Sequence, residues 1–240
     1  RILRVDAELD YVITPHVSRL GSSRRVIGLL APLVDQWFFS KLLTTIELEL
    51  INLGCDAVRF NIDTAANLAT RHLINQRHTH IGLITGVQAA MQYAIPEERA
   101  LGYRRALNAA NIAFRPELVQ NGNFSFDGGA EAMKLLYSVY EPPTAVLAIS
   151  DEMAVGALKT LRGMNLRIPQ DGSVIGFDDH DMAHFVDLTT VRQPVSQYGI
   201  LAAQLLVERL ESEEALAPRK IVCTPELIVR ATTGPAPAAR

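Results

Sequence analysis

The sequence predicts an α/β fold with a doubly wound parallel sheet, on three observations. Strand-length apolar runs alternate with amphipathic helical stretches along most of the chain. Residues 145–179 form a complete strand-helix-strand unit, which implies parallel strands. With 240 residues, 48% of them hydrophobic, the chain can bury a sizeable core.

The elements follow in order. Val26–Ala31 reads as the first strand, and a helix over Phe38–Asn52 stops at Gly54, a residue suited to a helix C-terminus. Asp56–Phe60 is the second strand, and a helix ending near Ile74 follows almost at once. His80–Ile84 is a strand, Glu97–Ala110 a helix, Leu118–Asn121 a strand and Asp127–Tyr140 a helix. In the central unit, strands Val146–Ile149 and Val174–Phe177 flank a helix over Glu152–Arg162, whose Met153, Val155, Ala157, Leu158 and Leu161 recur at helical spacing. Val195–Glu211 is the last long helix, and Lys220–Thr224 and Leu227–Ala231 are the closing strands. Residues 234–240, rich in Pro and Ala, read as a disordered tail.

Each strand of the central unit ends in polar residues: Ser150 and Asp151 after the first, Asp178 and Asp179 after the second. In open parallel sheets ligands sit outside the carboxyl ends of strands, and short carboxylates there accept hydrogen bonds from hydroxyls or amines. Asp151 has a second reading as a helix cap, because an acid ahead of a periodic run marks a helix start.

The bulk properties narrow the class. A net charge of −3 makes no general case for nucleic acid. The charge is uneven, however: residues 1–25 carry Arg1, Arg4, Arg19, Arg24 and Arg25 against Asp6, Glu8 and Asp10, a mildly basic arm ahead of an acidic body. No apolar run approaches the roughly 20 residues that span a bilayer, and Arg1 opens no secretory pattern, so a cytoplasmic protein is expected. Cys55 and Cys223 lack metal-ligand spacing and read as reduced core residues; Asn123-Phe124-Ser125 is then a chance glycosylation sequon.

Dinucleotide, P-loop, zinc-protease, dithiol and nucleophile-elbow signatures are absent, so neither an enzyme nor a cofactor is expected. His72, His78 and His80 cluster in sequence without metal-ligand spacing, and no metal is expected.

Several segments together resemble the lactose-repressor (LacI/GalR) family of bacterial transcription regulators, whose effector-binding core is similar to periplasmic sugar-binding proteins. They are VIGLLAP from Val26, ATRHLINQRHTHIGLITG from Ala69, ERALGYRRALNAANI from Glu98, the central unit, LTTVRQP from Leu188 and PELIVRATTG from Pro225, in the family's order. The resemblance implies two doubly wound lobes with a ligand cleft between them. Residues 26–77 and 194–222 would form the first lobe, residues 78–193 and 223–233 the second, and residues 1–25 the remnant of a DNA-binding head and hinge. The family has further strand-helix units where this chain passes from Phe60 to Ile62. A seam is expected there, either a deletion or a segment missing from the chain.

The resemblance also assigns roles. Arg99 stands where the family sends a guanidinium into the cleft, and its planar fork suits adjacent hydroxyls or a carboxylate. Asp178 would face it, Gln193 would contact ligand at a lobe crossover, and Phe124 would either cover a sugar face or belong to the core. Ser150, Asp151, Gln36 and Phe38 complete the expected ligand set. Ser150 replaces a family Asn, and Gln36-Trp37 replaces Asn-Pro, so effector identity does not carry over. Val17 and Leu20 fall in the hinge segment that meets the minor groove, with Leu20 as the wedge. Ile13 and Ser18 depart from the family's Pro and Arg there. The implied protein is a homodimeric repressor of operator DNA, switched by a small sugar-like effector; a stand-alone sugar-binding protein of a transport system is the alternative.

Overall fold

The computed structural model describes residues 57–60, 62–86, 95–193, 201, 204, 205, 208, 209, 212, 217 and 219–238. The arm at 1–25, the strand Val26–Ala31, the helix Phe38–Asn52, Cys55, and the site candidates Val17, Leu20, Gln36 and Phe38 lie outside them.

Eight strands are described: β1 (Ala57–Phe60), β2 (Ile81–Thr85), β3 (Val119–Asn121), β4 (Ala145–Ala148), β5 (Ser173–Asp178), β6 (Thr189–Arg192), β7 (Lys220–Cys223) and β8 (Glu226–Ile228). The helices are α1 (Ile62–Asn75), α2 (Ile95–Ala109), α3 (Phe126–Ser138), α4 (Asp151–Gly163) and the short α5 (Asp181–Phe185). Of the helix expected over Val195–Glu211, positions 201, 204, 205, 208 and 209 are described and helical.

Six strands form one sheet in the order β3-β2-β4-β5-β6-β8, and β1 pairs with β7 in a separate parallel pair. All neighbours in the large sheet are parallel except β6 and β8. The chain moves outward from β2 to β3, then returns past β2 to β4 and continues to β5 and β6. Because such crossovers are right-handed, this reversal puts α2 on one face of the sheet and α3 and α4 on the other. α1 packs beside α2, and α3 beside α4. With both faces covered, β4 is buried throughout, which explains its unbroken apolar run.

Three expectations need correction. The helix Ile62–Asn75 was grouped with the first lobe, yet Ala65, Ala66, Ala69 and Leu73 are fully buried in the core of the six-stranded sheet. Its periodicity announced a helix, but not which sheet would receive it.

β6 and α5 were not foreseen, because Thr189-Thr190-Val191-Arg192 looks too polar for an interior strand. The Thr190 hydroxyl is consumed inside, donating to the Asp151 carboxylate, and Thr189 Oγ1 accepts from the Arg230 amide.

The segment from Gly234 is also no free tail over its described part. Gly234 N donates to Ser173 Oγ, its carbonyl meets His78 Nε2 at 3.0 Å, and Ala236 N donates to the Gln76 carbonyl. These contacts lie at the amino ends of the strands, opposite the edge where the candidate site forms.

Candidate functional site

The reversal of winding between β2 and β4 opens a crevice outside their carboxyl ends, the usual place for a ligand in such sheets. Helix α2, which follows β2, brings Arg99 to that edge. The residue is only 7% exposed. One Nη donates to the Ile149 carbonyl at the end of β4, and the other lies 3.6 Å from Asp178 Oδ1 beyond β5. The guanidinium stacks on Phe177, its carbon 4.1 Å from the ring centroid, a cation-π contact that also fixes the plane of the fork. Nε makes no hydrogen bond within the described residues. Burial pulls this guanidinium below its ordinary pKa, while Asp178 and then Asp151 oppose the shift.

Asp178 closes β5 in a left-handed conformation, φ 116°, and Asp179 follows at φ 57°. Residues with a β-carbon seldom adopt these values without being held there. Gln193, just past β6, holds one side: its Nε2 donates to Asp178 Oδ1 and its backbone N to the Asp178 carbonyl. The Asp178 side chain retains 35% exposure. Desolvation at the strand end raises its carboxyl to about 6 against the opposing pull of Arg99 and the Gln193 bond.

The remaining candidates fall on the same edge with different surroundings. Ser150 is buried and caps α4, accepting from Met153 N at 3.4 Å. Asp151 is 1% exposed, and both its oxygens are engaged, by Thr190 Oγ1 and by His180 N, each at 2.7 Å. Burial raises its carboxyl to about 7, with those two hydrogen bonds pulling the other way.

Phe124 lies past β3 at φ 51° and packs partly buried against the core. Its ring covers Gly86 at the end of β2, where a β-carbon would stand 2.2 Å from the ring. Asp179 pairs with Arg192 and Arg230. Burial works to raise its pKa, but hydrogen bonds from Arg230 and Arg192, both at 2.7 Å, prevail and hold it below the ordinary value.

The structure therefore joins Arg99, Asp178 and Gln193 in one contact chain, with Ser150 and Asp151 behind Arg99 and Phe124 on a neighbouring strand end. Sequence reasoning missed Phe177 as the platform for Arg99, and Thr190 and His180 as partners of Asp151. The glycine inside the strand Val174–Phe177 was the available signal, since glycine in a strand interior marks a close approach. Among the described residues no group of three or more His, Cys, Asp or Glu could hold a metal ion, and no helix is long and apolar enough to cross a membrane.

Residues 70–233 match the family model of the periplasmic binding protein-like domain. The ribose operon repressor of Haemophilus influenzae is 33% identical over 216 residues, covering 86% of this chain and 64% of that protein. The HTH-type transcriptional repressor CytR of Escherichia coli K12 is 35% identical over 189 residues, covering 78% of this chain and 53% of that one. Among solved structures, a transcriptional regulator CelR-cellobiose complex superposes with a TM-score of 0.66 at 35% identity, covering 75% of this chain and 54% of that one. The chain thus spans between about half and two-thirds of the length of these proteins. With a sheet wound as in these regulator cores and the family's segments in order, the chain belongs to the LacI/GalR family of regulators through a periplasmic-binding-protein-like domain.

Proposed function

We propose that this chain is the effector-binding core of a transcriptional repressor, and that its effector is a small polyhydroxylated molecule held at the crevice of Arg99, Asp178 and Gln193. The arrangement at Arg99 carries the reading. A guanidinium held against Phe177 and Ile149 meets Asp178 only loosely, at 3.6 Å, and the Asp178 side chain keeps 35% exposure. Ligand hydroxyls would donate to the Asp178 carboxylate, and a ligand oxygen would accept from the Nη that faces that carboxylate. Phe124 would cover an apolar sugar face, and Gln36 and Phe38 would approach from the first lobe.

The rest of the proposal concerns the whole protein. Residues 26–77 and 194–222 form most of a first lobe, with the helix Ile62–Asn75 given to the second. Effector in the cleft alters the angle between lobes, and a homodimer converts that angle into the spacing of two DNA-binding arms that carry Val17 and Leu20. The effector shifts operator affinity only by its differential affinity for the two arrangements. That repressors and a sugar-bound regulator are among the relatives supports this reading over a transport protein, as it supports a cytoplasmic location.

The test is a thermal-shift screen of mono- and disaccharides, beginning with D-ribose and cellobiose, followed by calorimetric titration. A sugar that stabilises the protein should lose its effect in Arg99→Ala and Asp178→Ala. Full affinity in both variants would overturn the site.

A further inference from the structure

We infer that Asp151 is a positioning residue, whose buried carboxylate holds the Asp178-Asp179-His180 corner in the geometry that aims Asp178 at Arg99. The inference rests on reading the crevice as an effector site, and it reassigns an acid that the sequence offers either as a ligand contact or as a helix cap. Neither of those roles is open to it. The residue is 1% exposed with both carboxylate oxygens engaged, so no surface faces an effector. The cap of α4 is already Ser150, which accepts from Met153 N.

The bonds that Asp151 does make converge on one corner of backbone. Oδ2 accepts from His180 N directly. Oδ1 accepts from the Thr190 hydroxyl, whose oxygen in turn accepts from Asp179 N at 3.4 Å. The two amides that follow Asp178 are therefore tied to one carboxylate, one directly and one through Thr190. They belong to a stretch that needs tying, because Asp178 and Asp179 are both left-handed.

The local sequence accommodates this arrangement. Gly176, two residues before the corner, has no β-carbon, and one built there would stand 2.2 Å from Asp151 Oδ1. Position 151 opens helix α4, where the unpaired amides of the first turn favour a negative charge. Burial acts against that charge, raising the carboxyl to about 7. An acid at this depth is consistent with a task that needs its two acceptors.

The test begins without any effector, by amide hydrogen exchange in ¹⁵N-labelled protein. In Asp151→Ala, exchange at Asp179 and His180 should accelerate by about tenfold or more, while that of Leu147 on β4 stays as in the wild type. Thr190→Val should accelerate Asp179 and spare His180, a split that general loosening would not produce. Asp151→Asn keeps one acceptor and should fall between wild type and Ala; it also serves as the variant to read if Ala does not fold. Unchanged exchange at Asp179 and His180 in folded Asp151→Ala, or in Asp151→Asn if Ala is unfolded, overturns the inference, as does acceleration spread evenly over β4 and β5.

A second arm titrates D-ribose and cellobiose. Weaker binding in Asp151→Asn, with Asp178 untouched, supports the positioning role, and unaltered affinity counts against it. Failure of the wild type to bind any sugar would count against the cleft reading alone, because the exchange arm stands without a ligand.

Discussion

Gly176 and Asp151 compete for one volume: a β-carbon at residue 176 would lie 2.2 Å from Asp151 Oδ1 and 2.8 Å from Leu188 Cδ2. The obstacle is a hydrogen-bonded carboxylate rather than the free end of a flexible chain, so it cannot swing aside. Gly176→Ala is expected to destabilise the protein by about 1–3 kcal/mol, the usual range for overpacking a filled interior. Urea denaturation reads this directly, and an unchanged midpoint would mean that Asp151 has room to move.

Effector affinity should depend on pH through Asp178. Ligand hydroxyls donate to the ionised carboxylate, so binding disfavours the protonated form. In the free protein that carboxyl is raised to about 6. Affinity should weaken as pH falls through about 7, where Asp151 takes up a proton and loses an acceptor, and further through about 6, approaching at least about tenfold per pH unit well below. Calorimetry across this interval checks the prediction, and a flat profile would remove Asp178 from ligand contact.

Arg99→Lys should behave as a severe change. Lysine supplies neither a fork to join Ile149 and Asp178 at once nor a plane to stack on Phe177. Sugar affinity is expected to fall by about tenfold to a hundredfold, as for the loss of a charged hydrogen bond, while circular dichroism stays that of a folded protein. Retention of full affinity would show that only the positive charge matters.

His78 predicts an acid-sensitive stability term with the opposite sign to the buried acids. It is buried between Thr144, Ser173 and Gly234. Burial lowers its pKa below 6.5, with the Gly234 carbonyl opposing and His72 adding to the fall. The unfolded chain therefore takes up the proton first, and this contribution, fully present above 6.5, is lost as pH falls towards the lower folded value. Asp151 and Asp178, both raised by burial, gain stability over the same descent. The clean readout is thus the difference in unfolding free energy between wild type and His78→Gln. That gap is expected at about 1–3 kcal/mol near neutrality and should narrow on acidification; a constant gap would refute a neutral buried imidazole.

How much of this was legible in the sequence depends on what each residue does with its polar atoms. β2, β4 and β5 could be read because their runs of Ile, Leu, Val and Ala are buried on both faces. β6 escaped notice because hydroxyls count as polar in a pattern, whereas here Thr189 and Thr190 bond inward and leave no surface. The segment after Ala231 looked like tail because Gly and Pro favour open chain, yet its backbone finds partners in Ser173, His78 and Gln76.

At the site, Arg99, Asp178 and Gln193 could be anticipated by family position and by the rule that ligands gather at strand ends. The support beneath them could not. Phe177 reads as a core aromatic, and Asp151 carries no mark in the sequence that distinguishes an acid facing a cleft from one bound to backbone amides.

The docked segment near residue 234 also sets an order of events during synthesis. His72, on the first helix of the large sheet, bonds Thr233 across a separation of 161 positions, and Val174 N and Thr189 N take their partners from Thr232. On the ribosome, β2, β4 and β5 are all made before those partners exist. A nascent chain halted short of residue 232 would expose unpaired amides at the base of β5 and β6, a surface for chaperones to cover. Such distant pairing closes late and slowly, so the lobe should mature only after residues 232–236 have left the exit tunnel.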